Sequence, residues 1–241
     1  MEGMRKLKQI IAMGGGGFSM EPDNPLLDRY ILKQAISKQP KICFIPTASG
    51  DADGYITKFY TFFEKQICVP SHLSLFKPHV KDIEGFLLSQ DILYVGGGNT
   101  KNLLVLWKEW GLDQVMRKAW EQGIVSAGIS AGAICWFEEG VTDSFGDELH
   151  ALDCLGFLPG SSCPHFDGEE KRRSAYHDLI DSGHLQPGIA LDDGAAVHYV
   201  DDSMKVVVSS RKEAYAYKVE RLQVGEERLK TVYLGNEKEN T

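Results

Sequence analysis

Gly128-Ile129-Ser130-Ala131-Gly132 has the form G-x-S-x-G. That pattern suits a serine raised on a tight turn between a strand and a helix, with small residues two places before and after it so that the turn can pack. The following helix aims free N–H groups and its positive end at the hydroxyl, which favours a developing oxyanion. Five-residue glycine patterns also arise by chance, and the plain alternative is a strand–helix turn without chemistry. The context favours a nucleophile: an apolar run, 123–127, precedes Ser130 and a helix-compatible run, 131–137, follows it. A serine hydroxyl needs a base to take its proton. Seven histidines are available: His72, His79, His150, His165, His177, His184 and His198. Spacing alone selects none of them. His165 stands out because Cys163-Pro164-His165-Phe166 reads as an irregular loop, and loops on rigid scaffolds carry function. His177 and His184 flank a helical run and read as surface residues; His198, in a β-prone run, reads as a core or cross-strand residue.

The elements that would position these groups alternate along the first two-thirds of the chain. Residues 9–13, 41–45, 92–95 and 123–127 read as strands, and 72–76 is strand-like. Asn24-Pro25 opens a helix, with Asn as N-cap and Pro first inside, and Leu27, Tyr30, Ile31 and Ala35 share one face. Residues 55–65, 103–110 and 112–121 read as helices. Glycines follow two strands, as Gly14–Gly17 and as Gly96-Gly97-Gly98-Asn99. This βαβα rhythm predicts an α/β fold, a three-layer α/β/α sandwich with a mostly parallel sheet. Later runs at 188–191, 195–200, 205–209, 214–220 and 230–234 are short and β-prone, so they predict antiparallel strands added at a sheet edge. The expected organisation is a single domain over residues 1–241, with 235–241 as a frayed tail.

Composition narrows the function classes. A net charge of -8 over 241 residues argues against nucleic acid, which requires clustered cations. Lys171-Arg172-Arg173 is the notable basic run; it reads either as a solvated helix face or as a clamp for a substrate carboxylate. No segment is apolar for long enough to span a membrane, and the N-terminus does not read as a signal peptide. Five scattered cysteines without a CxxC pair predict free thiols and a cytoplasmic location. No HExxH is present, and His165-Phe166-Asp167 is too small a cluster for a metal, so no metal and no cofactor are expected.

Five segments, in order, resemble the peptidase E (α-aspartyl dipeptidase) family: Ile45-Pro46-Thr47-Ala48-Ser49, Gly96-Gly97-Gly98-Asn99-Thr100, residues 128–133, Pro164-His165-Phe166, and residues 190–196. The resemblance implies a class I glutamine amidotransferase-like fold with serine in place of that fold's cysteine. It implies Ser130 as nucleophile and His165 as general base and then acid. It implies an oxyanion hole from the Ala131 N–H and one N–H of Gly97, Gly98 or Asn99. The third triad member is expected at Asp193, with Asp143 as the alternative. Short peptides are the implied partner of a monomer or homodimer. The family's substrate-binding cation falls in Lys171-Arg172-Arg173, and Lys171 stands where arginine is expected. Moving the cation by one residue turns a helical side chain by about 100°, so a preference for Asp at the first position is expected to be weak or absent.

Three other readings carry their own signatures. An α/β-hydrolase esterase would use the chain order Ser, acid, His, met here by Asp192 or Asp193 with His198, but it lacks an HGGG-type turn. A nucleotide-binding protein would use Gly14–Gly17, which satisfies neither dinucleotide nor P-loop spacing. A catalytically silent relative would bind peptides only.

Overall fold

The computed structural model describes residues 7–146, 148–222 and 225–236. The chain runs β1 (Gln9–Met13), α1 (Gly17–Met20), α2 (Leu26–Leu32), β2 (Lys41–Ile45), α3 (Asp53–Phe63), β3 (Val69–His72), α4 (Ile83–Leu88), β4 (Ile92–Val95), α5 (Thr100–Glu109), α6 (Leu112–Glu121), β5 (Val125–Ile129) and α7 (Ala131–Ile134). It continues with β6 (Phe137–Thr142), β7 (His150–Asp153), β8 (Leu158–Cys163), α8 (Arg172–Asp181), β9 (Gly188–Leu191), β10 (Ala195–Val200), β11 (Ser203–Ser209), β12 (Ala216–Val219), β13 (Glu226–Arg228) and β14 (Thr231–Tyr233).

Eight strands form one sheet in the order β14-β11-β10-β1-β5-β4-β2-β3. Its centre, from β1 to β3, is parallel, and β10 joins β1 antiparallel. Strands buried on both faces need near-continuous apolar residues, and β1, β2 and β4 are written that way apart from Gln9 and Lys41 at the open ends of β1 and β2. Their side chains divide by parity. Ile10, Ala12, Cys43, Ile45, Leu93 and Val95 enter one core, with Trp107, Met116 and Trp120 from α5 and α6. Ile11, Met13, Ile42, Phe44, Ile92 and Tyr94 enter the other, with Phe18, Leu27, Ile31, Phe59 and Phe63 from α1 to α3. Each large apolar side chain so buried contributes about 1.5–3 kcal/mol relative to exposure. In α6 the stripe Leu112, Met116, Ala119 and Trp120 follows helical spacing and is the buried face. The fold is thus an α/β sandwich.

A second sheet, β13-β12-β9-β8-β6-β7, adds to the expected architecture. Its own core joins Val141, Cys163, Phe166, Ala190 and Val219 to Tyr176 and Ile180 of α8. Of the strands expected at the edge of the first sheet, β10, β11 and β14 are there; β9 and β12 belong to the second.

Several local expectations are corrected. Helix α2 begins after Pro25, which is its cap; Asn24 stands one residue outside, and its side-chain amide donates to the Ser210 carbonyl at 3.0 Å. Ala35 lies past the end of that helix. The strand-like run 72–76 is a strand only to His72. Beyond it Ser74 Oγ and the N–H groups of Leu75 and Phe76 wrap the Asp51 carboxylate at 2.7–2.8 Å, which turns the backbone out of the sheet. The run 131–137 is helical only over Ala131–Ile134. Residues 138–140 lie in β6, with Glu138 accepting from the Gly160 N–H and Glu139 from the Gln186 N–H, both at 2.8 Å. All five cysteines are free. Among the described residues no helix is long and apolar enough to cross a membrane. Residues 235–236 form part of a short 3-10 turn; the rest of the expected tail, 237–241, lies outside the described residues, as do residues 1–6 of the N-terminus.

Candidate active site

Strand β5 ends at Ile129, and the next residue turns sharply. Ser130 has φ 56 and ψ -116, a conformation that non-glycine residues avoid. Such a residue costs about 1–3 kcal/mol and persists where its surroundings hold it. The Ser130 N–H donates to the Met13 carbonyl at 3.1 Å, and its own carbonyl accepts from Ala133 and Ile134 at 2.8 and 2.9 Å. The turn closes tightly: a Cβ on Gly128 would lie 2.1 Å from the Gly132 carbonyl oxygen. Glycine at both ends of G-x-S-x-G is therefore a packing requirement. Ser130 is half-buried and opens on a cleft of about 500 Å³, shared with His165, Tyr55, Met20 and Lys58.

His165 follows the end of β8 and is also in the left-handed region, at φ 54. Four described non-glycine residues have positive φ, and two of them are these. The His165 Nδ1 meets Asp193 Oδ1 at 2.6 Å, with both side chains largely shielded. Burial pushes the Asp193 carboxyl up, but the hydrogen bond and charge of His165 outweigh it and hold the group below its ordinary value. Among the described residues no hydrogen bond joins His165 to Ser130; the two face the same cleft, and such contacts often tighten only with substrate in place. Asp143, the alternative acid, is exposed and faces Arg172 at 4.0 Å.

Two residues outside the sequence expectations brace the pair. Asp167 Oδ1 accepts the Asp193 N–H at 2.7 Å. Gly15 passes so close that a Cβ there would lie 1.9 Å from Asp193 Oδ1 and 3.1 Å from His165 Cε1. The glycine run after β1 is thus a backbone laid against the His–Asp pair, and its position straight after a central strand was the available signal. Asp167 was visible only as a near neighbour of His165.

The donor candidates separate. The Asn99 N–H is bonded to the Ala48 carbonyl at 2.8 Å while its side chain caps α5 through the Asn102 N–H, so Asn99 is occupied. The Gly97 N–H donates to Tyr55 Oη at 3.2 Å. Among the described residues the N–H groups of Gly98 and Ala131 have no partner.

The basic run is exposed at Lys171 and Arg173 but not at Arg172. Arg172 is 3% exposed. Its Nε and one terminal nitrogen grip Glu169 Oε2 at 2.7 and 2.5 Å, beside Asp143. With Glu169, Asp143, Gly98 and Thr142 it lines a second hollow that also reaches Ser130. Arg173 is bound by Glu226 at 2.6 and 3.1 Å and stacks on Phe166. Lys171 is exposed at the N-cap of α8. His198, the alternative base, is fully buried in β10 between Tyr30 Oη at 2.7 Å and Gln9 Oε1 at 3.1 Å. Burial brings it down to about 4.

An α/β sandwich with a strained serine where a central strand meets a helix defines the class of hydrolases that work through a nucleophile turn. Residues 10–207 match peptidase family S51. The chain belongs to that family and is a serine-type peptidase. It is 61% identical over 231 residues, covering 95% of this chain and all of the relative, to an uncharacterized peptidase, YgaJ, of Bacillus subtilis (strain 168). It superposes with a TM-score of 0.71 on a peptidase from an acI-B1 Actinobacterium, at 18% identity and covering 94% of this chain and 96% of that one. It superposes at 0.62 on a putative peptidase E protein from Listeria monocytogenes EGD-e, at 17% identity and covering 93% and 100%. These two likenesses carry the fold.

Proposed function

We propose that this peptidase cleaves short peptides through Ser130, with His165 and Asp193 completing the triad. His165 takes the hydroxyl proton as Ser130 attacks the scissile carbonyl, then gives it to the leaving amine. Asp193 holds the tautomer that leaves Nε2 free and stabilises the imidazolium. The oxyanion sits on the Gly98 and Ala131 N–H groups, each worth about 3–4 kcal/mol in the transition state. The observation that carries the reading is a strained serine and a strained histidine facing one cleft, with an acid 2.6 Å behind the imidazole.

The acyl side of the substrate lies away from His165, in the hollow lined by Arg172. A preference for aspartate there needs a guanidinium with a free fork. Glu169 already takes one edge of Arg172, and Glu226 takes the fork of Arg173. First-position aspartate is therefore not strongly preferred.

Fluorophosphonate should label the wild type and His198→Ala, and fail on Ser130→Ala and His165→Ala. Labelling retained in Ser130→Ala removes the assignment, and loss in His198→Ala with none in His165→Ala favours the esterase arrangement. An Asp-anilide cleaved far faster than Ala, Leu and Lys anilides would refute the specificity.

A further inference from the structure

We infer that Lys58 anchors the free α-carboxylate of the substrate's leaving residue, which makes the cleft a site for dipeptides as zwitterions. The inference rests on the proposed roles of Ser130 and His165, because those roles give the cleft its direction. His165 must hand its proton to the departing amine, so the leaving residue lies on the imidazole side of Ser130. That side is the cleft that Ser130 and His165 share, and Lys58 is its cation.

Helix α3 sets Lys58 there. Its buried face, Phe59, Phe62 and Phe63, locks it onto the sheet, while Gly54, Tyr55 and Lys58 form the stripe turned to the cleft. Lys58 is exposed, and among the described residues it has no acidic partner. The N-cap of α3 is Ala52, which supplies no side-chain acceptor, and Gly54 of the first turn also lines the cleft, so the positive end of the helix adds to the ammonium. Asp53, the acid of that turn, is turned to Lys77 at 3.6 Å. Met20 and Ile129 line the same cleft and supply apolar contact for a side chain.

The opposite end has the opposite sign. The hollow on the acyl side holds two carboxylates, Asp143 and Glu169, around the single guanidinium of Arg172. That balance favours an ammonium over a second carboxylate. A dipeptide laid across Ser130 places its amine among these acids and its carboxylate at Lys58.

The test compares a panel of X-Ala dipeptides with the corresponding X-Ala amides, on wild type, Lys58→Ala and Lys58→Arg, by kcat/KM. Wild type should prefer the free acid by about two- to fivefold, the modest size expected of a charged contact open to solvent. That ratio should fall close to one in Lys58→Ala, persist in Lys58→Arg, and shrink as salt is raised. An acid-to-amide ratio near one in wild type, an unchanged ratio in Lys58→Ala, or cleavage of amides with no cleavage of free acids would overturn the proposal. Failure of fluorophosphonate to label Ser130 would instead overturn the hydrolytic reading beneath it.

Discussion

Asp28 is fully buried in the core under Gly17, among Met13, Phe18, Leu27 and Tyr94. Neither of its carboxylate oxygens has a hydrogen bond of good geometry. Burial raises it from an ordinary 3.8 to about 7, and the nearby Tyr94 hydroxyl and Phe18 backbone offset only part of that rise. The folded protein therefore holds this proton more tightly than the unfolded chain. Stability from this group is full below about pH 4 and is lost as the pH climbs to about 7, with little change above. At about 1.36 kcal/mol per pH unit the loss comes to about 4 kcal/mol. Asp28→Asn keeps the shape and removes the titration, at a constant cost for its unpaired amide. Urea unfolding at about pH 5 and about pH 8 should show the variant gaining about 2–3 kcal/mol on wild type between the two. Parallel pH profiles would refute the reasoning, since an Asp28 that ionises freely in the fold has no such slope.

Two substitutions probe the brace behind the imidazole. Asp193→Asn should lower kcat by about 10^4-fold by leaving the imidazole in the wrong tautomer, and kcat within tenfold of wild type would dismiss Asp193 as the third member. Because His165 holds the Asp193 carboxyl down, the pair's contribution to stability is present above about pH 4 and lost only as the pH falls below that; Asp193→Asn should flatten this acid limb of the urea midpoint. Gly15→Ala should push the Asp193 carboxylate off His165, because the new methyl would stand 1.9 Å from Oδ1. Its activity should fall by about tenfold or more and its urea midpoint should fall with it, since the stabilising pair is parted and the short Asp193 side chain would also meet the methyl at Cγ, 2.7 Å away; a folded, fully active variant would show that the approach is loose.

Strands β1, β2 and β4 were legible to the residue because each is a mostly apolar run ended by glycine or proline, as was helix α6 from its periodicity; β5, expected over 123–127, runs Val125–Ile129, because Ser126 and Gly128 interrupt its apolar run. The second sheet was hidden for the opposite reason. Strands β6 to β8 mix Glu138, Glu139, Ser161 and Ser162 with apolar residues, and they are strands only because neighbours from distant segments complete their ladders. Helix α7 was overdrawn because a strand-pairing requirement begins at Phe137, and propensity does not report that. At the site, the motif and its flanking strand and helix singled out Ser130, while His165 was favoured only by its loop and the resemblance and Asp193 came forward through the resemblance alone; the occupied state of Asn99 and of the Arg172 fork depends on Ala48 and Glu169, and no local pattern links them. Lys58 carried no signal at all: one lysine on one helix gains meaning only from the cleft that it faces.

The two sheets explain why these three residues meet. Ser130 stands at the end of β5 in the first sheet, and His165 follows β8 in the second. Asp193 lies on the connection from β9 to β10, where the chain leaves the second sheet and enters the first. That crossing is pinned on both sides. The Phe166 N–H donates to the Leu191 carbonyl at 3.1 Å, and the Gly194 N–H donates to the Gly15 carbonyl at 3.1 Å. The distance between the histidine and the acid is consequently set by backbone hydrogen bonds at both ends of the crossing, one to each sheet. Strain at Ser130 and His165 costs about 1–3 kcal/mol apiece, and the backbone bonds from the Ser130 N–H to Met13 and from the Glu169 N–H to the His165 carbonyl hold it in place. A change that loosens the crossing should therefore reach the imidazole before it reaches any of the three hydrophobic cores.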